Sequence, residues 1–483
     1  MKKTLNLNLI LLTVLFLSLG FSSMAEVKLP AILTSNMVFQ RDHAITVWGW
    51  APKGEKVSVT FNKLVKKTKA DASGQWKVVF PAMQAGGGPL QLKVQGKNTI
   101  TLDNILIGDV WICSGQSNME MALSRVNNAE QEIAKADYPS IRLLQFPKNF
   151  QKEPVNDVEK ASWSVCSPQS IPKFSAVGYF FGRYINKELK VPIGLINTSW
   201  GNTNAEAWTS MDYLVKIPKY QYFPAELADK LNKTDSLSIM KMKGPNEYHS
   251  SLFNGMINPL LNLAVKGAIW YQGESNAAEG MLYRTLFPNM IDCWRDKWHQ
   301  PDMPFLYVQL ANYTDELSEP AKSNWANLRE AQLMTLNLPN TGMAVIIDIG
   351  EAKTVHPKNK QDVGYRLALN ALKLVYGKDI VYCGPIYKSM EIEGVKIALN
   401  FDHIGSGLIA KEKYGYLKAF AIAGDDKKFY WAKAEIKGDK VIIYSDKVTK
   451  PVAVRYAWSD NPGEVNLYNK EGLPASPFRT DSW

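Results

Sequence analysis

The period of the hydrophobic pattern changes twice along this 483-residue chain, and these changes constrain its fold more than any other feature. Over residues 26–104 apolar and polar residues alternate, as they do at Val57, Val59 and Phe61, and turn residues such as Gly86-Gly87-Gly88 separate the runs. A period of two is typical of strands that are buried on one face. We therefore predict an N-terminal β-sandwich domain over 26–104.

From residue 105 to residue 376, short apolar runs alternate with stretches of helical period, for example over 177–185 and 363–374. Strands that alternate with helices favour an α/β domain whose parallel sheet carries helices on both faces. The return to alternation after residue 376 predicts a C-terminal β domain over 377–483. The predicted central strands are Ile105–Cys113, Val191–Ile196, Gly267–Tyr271, Phe305–Leu310 and Met343–Ile347.

The first 25 residues have the pattern of a signal peptide. Lys2 and Lys3 precede the apolar run Leu9–Phe21, and Ser23-Met24-Ala25 supplies small residues where a signal peptidase cleaves. No later segment has the roughly 18 uninterrupted apolar residues of a membrane helix. We expect an exported soluble protein, periplasmic or secreted, with no membrane span.

Charge and cysteine content exclude several classes of function. The formal net charge of +10 is modest for this length, and lysines alternate with acidic residues instead of clustering, so we expect no nucleic-acid partner. The four cysteines show no CxxC spacing, and no metal or phosphate motif occurs, so no metal or cofactor is expected. Cys113 and Cys293 lie in apolar runs and are expected to be buried thiols.

The first candidate for catalysis is Ser117, in the segment Gly115-Gln116-Ser117-Asn118 that ends the first central strand. A serine there projects over the carboxyl edge of the sheet, where chemistry concentrates in such folds. A following helix would also offer main-chain N–H groups to negative charge. The alternative interpretation is an N-cap serine without a catalytic role. The G-x-S-x-G motif of α/β-hydrolases is absent.

Of the five histidines, only His356 follows a buried strand within one short loop and precedes a helix, which Pro357 is predicted to start. Two further segments, around Gly201 and Gln272, also follow central strands. A glycine allows close approach of the backbone to a ligand, and a glutamine amide can donate to an oxyanion. The alternative for Gln272 is a loop side chain that satisfies backbone groups.

Three segments together, Gly115–Met119, Trp270–Asn276 and Val355–Lys358, resemble the sialate O-acetylesterase family of the SGNH hydrolases. The likeness extends over nearly the whole chain after the signal peptide. It implies a three-layer α/β hydrolase domain between the two β regions. It also implies Ser117 as nucleophile and His356 as general base, with an oxyanion hole formed by the N–H groups of Ser117 and Gly201 and the side-chain amide of Gln272.

The sequence departs from the family pattern at two places. Asn202 follows Gly201 where a second glycine is usual, and Lys353 and Thr354 occupy the positions at which many SGNH enzymes carry an aspartate before the histidine. The orienting group for His356 is therefore open among Asp348, Glu351 and a backbone carbonyl. The last alternative leaves a Ser–His dyad, which we favour slightly over Asp348.

The resemblance implies a serine esterase that removes O-acetyl groups from sialic acid or a related acetylated carbohydrate through an acetyl-serine intermediate. One alternative has the same chemistry on xylan or another plant polysaccharide. A second alternative is a non-catalytic carbohydrate-binding protein whose β domains hold the sugar. The sequence makes no prediction about oligomeric state.

Overall fold

A computed structural model describes residues 26–225, 248–411 and 415–483. The predicted signal peptide over residues 1–25 lies outside these residues. In the described part of the chain no helix is both long and apolar enough to span a membrane.

The N-terminal region contains antiparallel pairs, β2 with β5 and β3 with both β4 and β6. In β5 every second residue is buried and the others are exposed, which confirms the alternation predicted from the sequence. The strands are β1 (Val38–Gln40), β2 (Ile45–Trp50), β3 (Lys56–Phe61), β4 (Leu64–Lys69), β5 (Gln75–Phe80) and β6 (Leu90–Gln95).

A single long strand, β7 (Thr99–Gly115), joins this region to the central sheet. Its first part pairs with β6, and its later part pairs with strands of the central sheet. The boundary predicted between residues 104 and 105 therefore falls inside a strand. The first residues of β7 are buried on one face of the strand only, whereas its last nine residues are all buried. The hydrophobic period of the sequence therefore changes within this strand.

The central sheet is parallel except at its edge, where β9 runs antiparallel to β8. Its order is β13-β12-β11-β7-β10-β8-β9. The carboxyl ends of β11, β7 and β10 are therefore adjacent, as the candidate residues require. The bounds are β8 (Tyr138–Gln145), β9 (Trp163–Cys166), β10 (Ile193–Ser199), β11 (Gly267–Tyr271), β12 (Phe305–Val308) and β13 (Thr341–Ala344).

Helices cover both faces of this sheet. Trp111 and Cys113 of β7 belong to one apolar cluster, together with residues of α3 and α7, whereas Val110 and Ile112 belong to a second cluster, together with residues of α5. The helices are α1 (Ser117–Glu120), α2 (Ala129–Ala134), α3 (Ala176–Leu189), α4 (Met211–Leu214), α5 (Gly280–Lys297), α6 (Asn324–Met334) and α7 (Lys360–Leu374). Single turns of other helix types lie at Leu123–Arg125, Ala205–Trp208, Pro218–Tyr220, Phe253–Ile257, Asn258–Leu260, Glu274–Glu279 and Thr335–Asn337.

The C-terminal region is built of small antiparallel sheets, as the sequence predicts. Their orders are β14-β15-β20-β19, β18-β17-β21-β23 and β16-β22. The strands are β14 (Ile386–Glu393), β15 (Lys396–Asp402), β16 (Leu408–Ala410), β17 (Phe420–Gly424), β18 (Phe429–Trp431), β19 (Lys433–Lys437), β20 (Lys440–Tyr444), β21 (Pro451–Tyr456), β22 (Leu467–Asn469) and β23 (Phe478–Arg479).

Of two local predictions, the one about buried cysteines is confirmed and the one about Pro357 is wrong. Cys113 and Cys293 are buried free thiols, as expected. The prediction that Pro357 starts a helix is wrong, because α7 begins at Lys360. Asn359 caps that helix, and its side-chain oxygen accepts a hydrogen bond from the N–H of Asp362 at 3.2 Å, which leaves Pro357 in the preceding loop.

Candidate active site

The turn that carries Ser117 depends on a glycine. Gly115 ends β7 with a φ of 133°, and a side chain there would meet the main-chain oxygen of Tyr271 at 2.2 Å. The close approach lets the N–H of Gln116 donate to that oxygen at 3.0 Å. The chain then enters α1 at Ser117, and the N–H of a first helical residue has no acceptor within the helix. Ser117 therefore presents both a hydroxyl and a free donor at the carboxyl edge of the sheet.

His356 reaches the same edge from the loop between β13 and α7. Its Nε2 lies 2.7 Å from the Oγ of Ser117, although 239 positions separate the two residues. The expectation that they meet at one rim of the sheet is confirmed. Both side chains line a cavity of about 310 Å³. A hydroxyl hydrogen-bonded to an imidazole is the arrangement from which a serine is activated for nucleophilic attack.

The surroundings of His356 favour its neutral form. Partial burial, followed by the positive charges of Lys360 and Arg125, holds the pKa of the imidazole below its ordinary 6.5. Within the described ranges no carboxylate bonds to the ring. The backbone N–H of His356 donates to the hydroxyl of Thr354 at 3.1 Å, which helps to fix the loop. A neutral imidazole is the form that accepts a proton.

Within the described residues Asp348 makes no hydrogen bond to the ring of His356, and its role as the orienting group stays a prediction. Both of its carboxylate oxygens are held by Arg366, at 2.6 and 2.7 Å, and one also accepts from the hydroxyl of Tyr468 at 3.1 Å. Glu351, the other acidic alternative, accepts from the backbone N–H of Lys358 at 2.7 Å. Both carboxylates thus accept hydrogen bonds from groups other than the imidazole, which is compatible with the predicted Ser–His dyad.

The side chain of Gln272 is hydrogen-bonded to groups other than Ser117. Its side chain is fully buried, and its amide donates to the main-chain oxygen of Thr203 at 3.1 Å and to Oδ1 of Asn276 at 2.7 Å. Its oxygen accepts from the hydroxyl of Tyr283 at 2.8 Å. An amide has two hydrogens to donate, and both are used. In the free protein these bonds match the alternative of a loop side chain that satisfies neighbouring groups, and a role of Gln272 in the oxyanion hole stays a prediction.

Gly201 does lie beside the nucleophile. A Cβ added to it would be 3.3 Å from the Cβ of Ser117. Its N–H, however, donates to Oε2 of Glu120 at 2.6 Å, and the other oxygen of Glu120 pairs with Lys148, also at 2.6 Å. The N–H of Gly201 is thus close enough to stabilise charge near Ser117 but is engaged by a carboxylate.

Several residues around the cavity carry no signal in the sequence. Arg125, Gln145 and Lys173 line it with Ser117 and His356, yet none stands in a distinctive motif. Their position at the cavity is shown only by the three-dimensional arrangement of the loops.

Four of the aromatic residues in or near the motifs differ in their exposure. Trp111, Trp208 and Tyr271 are fully buried and belong to the core. Trp200 is partly exposed, and the ammonium of Lys148 lies 5.3 Å from the centre of its ring. Trp200 is therefore the residue of these four whose ring is partly accessible to solvent.

Comparisons with known proteins agree with this geometry. A family model described as carbohydrate esterase, sialic acid-specific acetylesterase matches residues 107–373. The chain is 32% identical to a human sialate O-acetylesterase, over 93% of this chain and 92% of the relative. It is 30% identical to the mouse protein of the same name, over 93% and 94%.

A solved structure of a carbohydrate acetylesterase from Xanthomonas citri superposes with a TM-score of 0.86 and 41% identity. The superposition covers 95% of this chain and 100% of that one. The match therefore includes the β regions on both sides of the residues that the family model covers. The chain is an esterase and belongs to the sialic acid-specific acetylesterase family of carbohydrate esterases.

Proposed function

We propose that this protein is a serine esterase of the three-layer SGNH type that hydrolyses O-acetyl groups on sialic acid, with Ser117 as nucleophile and His356 as general base. The observation that carries the proposal is the 2.7 Å separation of Ser117 Oγ and His356 Nε2. The family and the named relatives support the reaction class.

The reaction takes two steps. His356 accepts the hydroxyl proton as Ser117 Oγ attacks the acetyl carbonyl, and the tetrahedral intermediate then expels the sugar oxygen, which takes the proton from His356. Water next attacks the acetyl-serine while His356 accepts its proton, and collapse of the second intermediate returns the proton to Ser117 and releases acetate. Both steps need His356 neutral at the start, which its cationic surroundings favour.

The N–H groups of Ser117 and Gly201 are the donors that we assign to the oxyanion. Loss of one such donor typically lowers the rate on the order of 100- to 1000-fold. Because Glu120 accepts from Gly201 in the free protein, its carboxylate has to leave that N–H before an oxyanion can take its place. Lys148 already holds the other oxygen of Glu120 and offers the carboxylate a partner when it moves.

The charges around the cavity support an anionic sugar. Arg125 and Lys173 line it and are exposed, and neither is ion-paired with a carboxylate of the described residues. Glu120, the acidic residue of the lining, is neutralised by Lys148. The cavity therefore keeps an excess of positive charge, which complements the carboxylate of a sialic acid. Neutral acetylated xylan offers these cations no partner.

Export and domain division complete the proposal. The pattern of residues 1–25 supports removal of a signal peptide and a periplasmic or secreted location. We assign residues 105–376 to the catalytic unit and the flanking β regions to supporting units, with β7 shared between the first two.

The experiment compares acetate release from O-acetylated sialoglycan and from acetylated xylan. We expect faster release from the sialoglycan and none from either substrate with Ser117→Ala. Ser124→Ala, an exposed serine nearby, is the matched control and retains full activity. Faster release from xylan would contradict sialic acid as the substrate, and release from neither would contradict both substrates and point to another acetylated carbohydrate.

A further inference from the structure

Asn118, the residue after the nucleophile, joins the three segments of the motif. Its side-chain amide donates to Oε1 of Glu274 and, at 2.8 Å, to the main-chain oxygen of Val355. Its Oδ1 accepts from the ammonium of Lys360 at 2.5 Å. The amide uses both hydrogens and its oxygen, so its orientation is fixed. Because Val355 precedes His356, one side chain ties the nucleophile helix to the loop of the base.

Lys360 is an unusual residue for its position. It is fully buried, and it is the first residue of α7, where the helix dipole disfavours a positive charge. Burial lowers its pKa to about 7, although the charges of Glu274 and Glu351 offset part of that effect. Its ammonium also lies 4.9 Å from the centre of the Tyr271 ring. A buried cation that violates local preferences is a feature expected at functional sites.

We propose that Lys360 is a positioning residue of this esterase. Through its hydrogen bond to Asn118 it fixes the position of Ser117 relative to His356, a role that an acidic partner of the histidine has in a Ser–His–Asp triad. The inference rests on the proposed function. An acidic third member holds the imidazole directly, whereas Lys360 acts on the backbone on either side of the pair.

The charge of Lys360 has a second consequence. The charged groups that face His356 are Lys360 and Arg125, and both oppose its protonation. The groups that face Lys360 are Glu274, Glu351, Asn118 and the Tyr271 ring. His356 titrates below pH 6.5, where Lys360, whose pKa is lowered to about 7, is mostly protonated. The ammonium therefore keeps the base neutral further into the acid range than an acidic partner would.

The test uses Lys360→Met, which removes the charge and the hydrogen bond but keeps an unbranched side chain. We expect kcat for nitrophenyl acetate to fall about ten-fold or more, because small misplacements of catalytic groups cost rates of this order. KM should stay within about two-fold, because Lys360 does not contact the substrate. The acid limb of kcat/KM should move to higher pH. Lys358→Met, an exposed lysine of the same loop, is the matched control and leaves all three quantities unchanged.

Asn118→Ala removes the other end of the same hydrogen bond. If Lys360 acts through Asn118, the double variant loses no more activity than the worse single variant, because coupled residues are not additive. A folded Lys360→Met protein with unchanged kcat and an unmoved acid limb would overturn the proposal, as would fully additive losses.

An NMR titration of the histidine rings in the unmodified protein tests the electrostatic part even if Lys360→Met and Asn118→Ala do not fold. The chain has five histidines, and the signal missing from His356→Ala identifies the one of interest. The proposal requires the pKa of His356 to lie below 6.5, and a value at or above 6.5 contradicts it. This result does not depend on turnover, so it stays separate from a failure of Ser117→Ala to abolish activity, which would overturn the proposed function instead.

Discussion

Arg366 holds both carboxylate oxygens of Asp348 in a two-point ion pair, with N–O distances of 2.6 and 2.7 Å. Both side chains are less than a tenth exposed. Asp348 was one of the two acidic residues that the sequence offered as a partner for His356. This ion pair joins the loop after the sheet to α7, and we expect it to contribute to stability.

Asp348→Asn should therefore separate stability from catalysis. Removing one partner of a buried ion pair costs about 3–5 kcal/mol, because the other charge is left uncompensated. We expect a clearly lower Tm by thermal unfolding. Below that temperature kcat should stay within about three-fold of the unmodified protein, since no step of the reaction uses Asp348.

Asp379→Asn is the control for that variant. Its partner Lys373 forms an exposed ion pair at 3.1 Å, and exposed pairs contribute little, so Tm should not change measurably. A loss of roughly 10⁴-fold in kcat for Asp348→Asn, the effect of disabling the acidic member of a triad, would restore Asp348 as the orienting group.

Glu120→Ala should raise kcat on a small neutral ester. The substitution frees the N–H of Gly201 and removes a negative charge beside the forming oxyanion. Two charges about 4 Å apart interact by roughly 1 kcal/mol in water-like surroundings, so a gain of about five-fold is expected. Steady-state kinetics with nitrophenyl acetate measure it, and a fall of ten-fold or more would show that Glu120 takes part in the reaction.

Gln272→Ala should damage the fold more than the chemistry. It removes the acceptor of the Tyr283 hydroxyl and the amide that donates to the main-chain oxygen of Thr203, and each unsatisfied buried group costs about 1–3 kcal/mol. Thermal unfolding should show a lowered Tm, and kcat at low temperature should fall by less than 100-fold. A stable variant whose kcat falls 100- to 1000-fold would return Gln272 to the oxyanion hole.

The pH dependence follows from the state of His356. The imidazole accepts a proton only when neutral, and its pKa is held below 6.5 by burial, Lys360 and Arg125. kcat/KM should therefore be full at pH 7 and decline only as the pH falls through that lowered pKa. Arg125→Gln removes one opposing charge, so its acid limb should lie at higher pH. A limb that moves to lower pH would contradict the assignment of Arg125 as a cation facing the base.

Much of the fold was predictable because the spacing of apolar residues shows which face of each strand or helix is buried. The run Gly267–Tyr271 is a strand with the predicted bounds, and residues 363–374 lie within α7. The boundary at residue 104 was not predictable, because a strand that leaves one layer and enters another changes its burial without a turn residue. The prediction that Pro357 starts a helix failed because Asn359, two residues later, caps the helix with its side chain.

The site was predictable at Ser117 and His356, where strand ends fix the position of each residue. The hydrogen bonds of Gln272 and Asp348 were not predictable. The sequence pattern places both residues after strands, but it does not show that Thr203 accepts from Gln272 or that Tyr468 donates to Asp348. Sequence position identifies the edge of a sheet, and only the packed structure shows which neighbour a side chain bonds.

Trapping the covalent intermediate tests the central claim most directly. The protein is mixed with an acetyl ester, quenched in acid during turnover and mapped by peptide mass spectrometry. The account predicts an acetyl group on Ser117, absent when Ser117→Ala is treated in the same way. An acetyl group on another residue of a turning-over enzyme, or undiminished turnover by Ser117→Ala, would contradict it.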